Sequence, residues 1–535
     1  MCRGGYGCLV LRFFVLAGLV LLGALTVLAA AIGGWGWWLL AALLLVLALV
    51  GCYDLLQRRH SILRNYPVLG HLRFLLEGIR PELQQYFIER NYDGRPYDRD
   101  TRSAIYQRAK GIKEEQPYGT ERDLYATGYE YLVHSTAPVP TMDATPRVRI
   151  GGPDCTQPYD MALLNVSAMS FGSLSANAIE ALNRGAAIGG FAHDTGEGAI
   201  SPYHRNGGDL VWEIGSGYFG ARTDDGRFDE REFADKAADD QVKMVSLKLS
   251  QGAKPGIGGV LPAAKVSAEI ARTRDIPQGE KCVSPAYHQV FSTPRELMRF
   301  VAHFRELAGG KPAGFKLCVG SRVDVLAICK AMVAEGVTPD FIVVDGAEGG
   351  TGAAPLEYED HVGMPLTEGL LTVHNALVGV GLRDRVRIGA SGKVSSGIDV
   401  VKRILQGADY TNAARAMMQA VGCIQSQKCH TNRCPVGVAT QDPKRMRALH
   451  VPTKTERVVR YQAAVVDQAT QVIASMGLTS FEELRPHMLR RRVHDGVIAS
   501  YAELFDHLEP GQLLAEPPAS WEHDWVLADP DRFRP

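Results

Sequence analysis

From about residue 160 the chain alternates short apolar runs with stretches of helical periodicity, and this alternation constrains its fold more than any other feature. Ala162–Ala168, Met244–Leu249, Gly314–Val319, Phe341–Asp345, Arg385–Ala390 and Ala408–Ala413 read as buried strands. Between them, Ala176–Ile188, Ser321–Glu335, Thr367–Val380 and Ser396–Leu405 carry apolar residues at helical spacing. Sustained over roughly 270 residues, the pattern predicts an α/β fold with a parallel sheet, and with this many units a closed (β/α)8 TIM barrel rather than an open sheet. The last residues, 451–535, hold helical pieces (Glu456–Met476, Ser480–Leu489, Ser500–Leu508) and a Pro-rich end, and read as a helical cap with no motif of its own.

The N-terminal end is a different material. Phe13 to Tyr53 contains no charged residue. That is too long for one span of about 20 residues, and Gly33, Gly34 and Gly36 interrupt it near its middle. The reading is a transmembrane helical hairpin, Leu9–Ile32 and Trp37–Cys52, with Trp35, Trp37 and Trp38 at the interface of the turn. Arg3 and Arg12 flank the start of the pair and Arg58, Arg59 and Arg64 follow it, which places both ends in the cytoplasm. The expectation is a multi-pass protein of the inner (cytoplasmic) membrane whose catalytic domain faces the cytoplasm. A secretory signal is the weaker reading, because there are two apolar runs and no clear small-residue cleavage site. Cys2 as a processed N-terminal nucleophile is rejected, since an apolar span follows it at once. The expected organisation is a hairpin over 1–59, an Arg- and Tyr-rich lead-in over 60–150, a barrel over 151–450 and a C-terminal extension over 451–535.

Charge excludes one class of partner. With 58 Lys and Arg against 59 Asp and Glu, the net charge of -1 gives no footing for nucleic acid. Outside one cluster the cysteines are scattered (Cys155, Cys282, Cys318, Cys329), so they form no disulfide framework and a reducing compartment fits best. The cluster is Cys423, Cys429 and Cys434, spaced C-x5-C-x4-C and closed by Pro435. Thiolates packed this closely read as a soft-metal or iron–sulfur site, or else as buried small hydrophobes. Three ligands point to a cluster lacking one iron, or to a fourth ligand elsewhere. A cluster moves single electrons and needs a partner that stores two, for which a flavin is the obvious candidate.

In a TIM barrel the site lies at the C-terminal ends of the strands, and phosphate is usually held by the loops after strands seven and eight. Ser391-Gly392-Lys393 and Ala414-Arg415 occupy those places, and Asp345-Gly346-Ala347-Glu348-Gly349-Gly350-Thr351-Gly352 forms a polar loop one strand earlier. A phosphate-bearing cofactor such as FMN fits them. No dinucleotide-binding unit, and so no nicotinamide or FAD domain, is read in the chain. Lys316, in Phe315-Lys316-Leu317, is an isolated cation in an apolar strand; it is either an edge lysine or one paired with an anion such as the N1/O2 edge of a reduced flavin. Glu197, between Gly196 and Gly198, either orients a ligand or transfers a proton, or is a turn glutamate.

Several of these stretches resemble a known family. Met169-Ser170-Phe171-Gly172-Ser173-Leu174-Ser175, Thr195-Gly196-Glu197-Gly198, Gln251-Gly252-Ala253-Lys254-Pro255-Gly256, Gly349-Gly350-Thr351-Gly352-Ala353 and Cys434-Pro435-Val436-Gly437-Val438-Ala439-Thr440-Gln441-Asp442-Pro443 are similar to the FMN-binding synthase domain of glutamate synthase. The resemblance covers about residues 150–450, and within it the chain looks like the shorter, membrane-anchored, stand-alone FMN-binding glutamate synthase family proteins. It implies a barrel holding FMN beside a 3Fe-4S cluster, and an oxidoreductase acting on the CH–NH2 group of donors. The implied substrates are ammonia and 2-oxoglutarate, which condense to 2-iminoglutarate that reduced flavin converts to L-glutamate.

By position, Met169, Ser170, Lys316, Gly350, Gly392 and Arg415 would line the FMN, with Lys316 by N1/O2. Cys423, Cys429 and Cys434 would bind the cluster, and Glu197 would lie near the ammonia entry and the acceptor. The resemblance implies Lys316 and Glu197 as the catalytic pair. Electrons would come from a separate donor protein or diffusible carrier.

The departures from the family pattern are specific. Two apolar runs stand where the long synthases carry a glutaminase domain, and their C-terminal helical-β domain has no counterpart. Ile257 and Ala264 replace a family Glu and His, and Ala286 and Tyr287 replace a Pro and His. The expectation is that coupling to glutamine is lost. The alternatives are a membrane-linked FMN oxidoreductase acting on another amino acid or amine, such as N-methylglutamate formation, and a non-catalytic flavin electron relay.

Overall fold

The computed structural model describes residues 5–112, 115, 117–142 and 145–533, with the side chains of 5–12 outside the description. The chain divides into two compact units, one reaching to Arg99 and one starting at Asp100. In the second, eight parallel strands close into a barrel: β1 (Leu164–Val166), β2 (His193–Asp194), β3 (Leu210–Ile214), β4 (Val242–Lys248), β5 (Ala313–Leu317), β6 (Phe341–Asp345), β7 (Arg387–Ser391) and β8 (Tyr410–Ala413). The TIM barrel expected from the alternation is therefore present.

Six strands overlie the expected runs to within a few residues. β2 and β3 were not expected: β2 has two residues, both polar, and β3 is interrupted by a charge at Glu213. Short length and a broken apolar run remove the signal on which strand reading depends. Helices follow β1 (Ala176–Gly189), β5 (Arg322–Glu335), β6 (Leu366–Gly379) and β7 (Gly397–Leu405), close to the expected ranges. Ser175, Ser321 and Ser396 start three of them by accepting an amide hydrogen bond on the side chain. After β2 there is only a 3-10 turn, Pro202–His204.

The lower half of the lumen is apolar. An antiparallel hairpin, Arg147–Ile150 with Tyr159–Ala162, sends Ile150 and Met161 into one buried cluster with Ala192, Val211, Met244, Phe341, Val343 and Tyr410. The hairpin closes the barrel floor and leaves the opposite end for chemistry.

The C-terminal helix expected over Glu456–Met476 runs over Val451–Ser475 and packs on Ala176–Gly189, Gly397–Leu405 and Arg415–Val421, so it joins the outer ring of the barrel. Ser480–Leu489 is not a helix. It forms two 3-10 turns, Phe481–Glu483 and Pro486–Met488, and then a strand, Leu489–His494, paired with Val497–Ser500 and Glu130–Leu132. Pro486 lacks the amide hydrogen that a helix through that point would need. Ser500–Leu508 contributes one turn, Tyr501–Leu504.

In the first unit two apolar helices, Gly5–Gly33 and Gly36–Leu56, meet at Gly34, whose φ of +96° suits glycine. Phe13–Gly33 and Gly36–Leu56 are long and apolar enough to cross a membrane, with mean hydropathies of 2.6 and 2.5. Cys2, Arg3 and the side chain of Arg12 lie outside the described residues. A short helix, Ser61–Asn65, and a longer one, Gly70–Leu83, follow.

Candidate active site

Side chains two residues apart on a strand share a face, so the positions following the apolar cluster also point into the lumen. These are Asp194 (after Ala192), Glu213 (after Val211), Ser246 and Lys248 (after Met244), Asp345 (after Val343) and Asn412 (after Tyr410), all buried. Lys316 on β5 and Ser391 on β7 complete the layer. The lumen thus changes from wholly apolar to wholly polar at the C-terminal ends of the strands, where barrel chemistry is sited.

Lys316 forms an ion pair with Glu213. β3 and β5 are separated by β4, so this contact bridges over one intervening strand on the inner face of the barrel. Burial opposes the ammonium, but Glu213, then Asp194 and Asp345, outweigh it and hold the Lys316 pKa above its ordinary value. Burial and then the Glu213 charge push Asp194 up to about 8, against the pull of Lys316. Asp345 is also raised, by burial first, although Lys316 and the Gly252 amide, which donates at 2.7 Å, favour its anion. One cation is shared among three carboxyl groups, and burial with the Glu213 charge favours the protonated form of Asp194.

Glu197 and Lys248 make a second pair: the Lys248 Nζ donates to Glu197 Oε1 at 2.8 Å and also to Gln251. Burial works against the Glu197 carboxylate, yet Lys248, with Arg274 and Lys254 behind it, holds its pKa below the usual range. Two glycines close over it. A Cβ at Gly259 would stand 2.1 Å from Glu197 Oε1, and one at Gly215 2.6 Å from Oε2. Lys254 donates to the Ala353 carbonyl at 2.7 Å, and burial followed by Lys248 lowers its pKa to about 8. Arg274 donates from Nη2 to the Phe171 carbonyl at 2.9 Å. His288 donates from Nε2 to the Lys248 carbonyl at 2.8 Å, and burial lowers its pKa to about 4.

The loops around this layer meet one another. Met169 and Ser170 follow β1, and the Gly196 backbone after β2 lies against them, with a Cβ there falling 2.7 Å from the Ser170 amide nitrogen. Over β6 to β8, the Gly346 amide donates to the Ser391 carbonyl at 2.9 Å. A Cβ at Gly350 would lie 3.0 Å from both Cδ and Nε of Arg415, and Arg415 donates to the Glu348 carbonyl. Gly392, at φ +149°, sits over Leu366. Gly350 thus rests on Arg415, and Gly392 follows β7, the strand between theirs. The amino end of helix Gly397–Leu405 is capped from within: Asp399 accepts from the Ser395 and Ser396 amides at 2.9 and 3.0 Å. An anion at β7 would therefore use the loop backbone rather than this helix end.

Cys434 is buried, with Cys423 and Cys429 half-buried against the same apolar cluster. Burial first, and the neighbouring thiols after it, push the Cys423 and Cys429 thiols up, and Lys265 lies beside Cys429 and Cys434. Among the described residues no group of three His, Cys, Asp or Glu could hold a single metal ion.

Sequence reading missed Glu213, Asp194, Asp345 and Lys248. Leu247-Lys248-Leu249 carries the same signal as Phe315-Lys316-Leu317, a lone cation in an apolar run, and Glu213 is the carboxylate equivalent. What no local pattern supplied was which charge answers which.

Residues 147–479 match the conserved region in glutamate synthase. The chain is 37% identical over 489 residues to the glutamate synthase large subunit-like protein YerD of Bacillus subtilis, covering 84% of this chain and 93% of that protein. It is 35% identical over 321 residues to the archaeal-type glutamate synthase (NADPH) of Thermotoga neapolitana, which covers 60% of this chain and 60% of that enzyme. Among solved structures, a flavocytochrome b2 double mutant with pyruvate bound aligns with 85% of this chain and 95% of its own, at 14% identity and a TM-score of 0.40. The chain belongs to the glutamate synthase family, a family of oxidoreductases acting on the CH–NH2 group of donors.

Proposed function

We propose that the chain is a flavin-dependent oxidoreductase that reduces 2-iminoglutarate, formed from ammonia and 2-oxoglutarate, to L-glutamate. The observation that carries this reading is the polar lumen mouth, where the buried Lys316 ammonium and the Glu197–Lys248 pair stand at the ends of neighbouring strands. FMN fits this mouth and would supply the hydride. Ser246 Oγ and Asn412 Oδ1 are buried there without a hydrogen-bond partner among the described residues, which suits a polar ring system. Met169, Ser170 and Lys316 would hold the ring, with Lys316 at its N1/O2 edge, and Gly350, Gly392 and Arg415 would hold the phosphate.

The residues themselves divide the work. Lys316, held by Glu213, presents a preorganised ammonium in a water-poor site, where fixed electrostatics contribute most. Glu197, kept ionised by Lys248, orients ammonia by accepting from its N–H and steadies a protonated imine. Lys248, Lys254 and Arg274 exceed Glu197 in charge and so favour a dicarboxylate acceptor. Cys423, Cys429 and Cys434 would hold a 3Fe-4S cluster, each thiolate as the ligand of one iron, and so would not need to converge on one ion. A separate donor protein or diffusible carrier would feed it. The two apolar helices would anchor the chain in the inner (cytoplasmic) membrane as a multi-pass protein with the barrel in the cytoplasm.

A second reading keeps the flavin and changes the acceptor to another amino acid or amine, N-methylglutamate formation included. Apolar Ile257 and Ala264 in the loop beyond Lys254 favour it. The test is anaerobic. Detergent-purified protein is photoreduced, 2-oxoglutarate and ammonium are added, and the flavin absorption band is followed. Reoxidation with glutamate formed is the expected result; a band that stays reduced rejects this substrate pair.

A further inference from the structure

Helix Gly70–Leu83 and the turn Gln84–Ile88 after it leave their apolar side chains exposed, as the two long apolar helices do, but the helix interleaves them with charged residues. Leu72, Leu75, Leu76, Ile79, Leu83 and Phe87 recur at intervals of three, four and seven and so share one face, with exposures from 39% to 82%. Arg73, Glu77, Arg80 and Gln84 occupy the other face, where Arg73 donates to Glu77 at 2.8 Å. Water does not tolerate a contiguous apolar stripe of this size without a partner surface. At 14 residues, or about 21 Å, the helix is too short to cross a hydrocarbon core of roughly 30 Å.

The start of this helix is tied to a particular level. Asp54, in the last turn of the second apolar helix, is fully buried. Its carboxylate accepts from the Val68 amide at 2.9 Å and from His71 Nε2 at 2.9 Å. The first turn of Gly70–Leu83 is thus held at the end of the apolar hairpin, beside the exposed Arg58, Arg59 and Arg64. A basic collar at that level matches anionic lipid headgroups.

We infer that Gly70–Leu83 is an interfacial helix, lying along the bilayer surface with its leucine face in the headgroup–acyl boundary and its Arg73–Glu77 face in water. The occupant of the apolar face is lipid, and the helix fixes the height at which the chain leaves the membrane. This rests on the reading of the hairpin as membrane-spanning.

The test places a tryptophan at three positions of the full chain, reconstituted in phosphatidylcholine–phosphatidylglycerol vesicles with brominated acyl tails. Leu45→Trp reports on the second apolar helix, Leu76→Trp on the proposed lipid face and Glu77→Trp on the water face. All three positions are exposed, so the substitutions are tolerated by the fold. The expected result is that brominated tails quench the added emission of Leu45→Trp and Leu76→Trp at least about twofold more than that of Glu77→Trp, which aqueous iodide quenches instead. Quenching of Leu45→Trp with none at Leu76→Trp would overturn the interfacial helix and leave the hairpin standing. No lipid quenching at either would reject both. A Leu76→Trp signal shielded from bromine and iodide alike would mean that protein, not lipid, covers the face.

Discussion

Lys316 and Glu213 show how a buried charge is tolerated at the mouth of a barrel. Neither is stable alone in the lumen, and each is held by the other across the width of one intervening strand. Removing the cation leaves Glu213, Asp194 and Asp345 facing one another in a buried space. Lys316→Gln is therefore expected to lower stability by roughly 3–5 kcal/mol, read from the urea midpoint. Replacing both partners with apolar residues, Lys316→Met with Glu213→Leu, is expected to recover much of that loss while forming no glutamate. Equal destabilisation by the single and double replacements would show that the pair does not act as a unit.

At the scale of elements, the outer ring depends on close backbone approach. Helix Val451–Ser475 crosses Ala176–Gly189 at Gly185, where an added Cβ would fall 2.6 Å from Val458 Cγ1 and 2.9 Å from its Cβ. A β-branched side chain cannot move aside from backbone it already touches. Gly185→Ala is expected to cost about 1–3 kcal/mol, seen as a lower melting temperature, and Val458→Ala in the same chain should recover part of it. An unchanged melting temperature for Gly185→Ala would mean that the two helices separate freely. Both helices were legible from periodicity, because each keeps one apolar stripe over several turns. β2 was not legible, since two residues carry no period, and Ser480–Leu489 was misread because Pro486 lies inside an otherwise suitable pattern.

On the scale of the whole molecule, the proposed electron path joins the cysteine run to the lumen mouth. Cys429→Ser is expected to abolish the cluster's electron paramagnetic resonance signal while leaving flavin absorbance in place; a surviving signal would refute Cys429 as a ligand. The sequence alone determined the barrel, the strand-end loops, the cysteine spacing and the apolar N-terminal pair, because each is written in neighbouring residues through period, composition or motif. It also singled out Lys316. Only the tertiary structure decided that Glu213, Asp194 and Asp345 answer that charge, that Lys248 holds Glu197, and that Gly350 rests on Arg415. Those partners lie far apart in the chain and meet only when eight strands close in one register. Local patterning specifies which face of an element is buried; closure of the barrel specifies what that face meets.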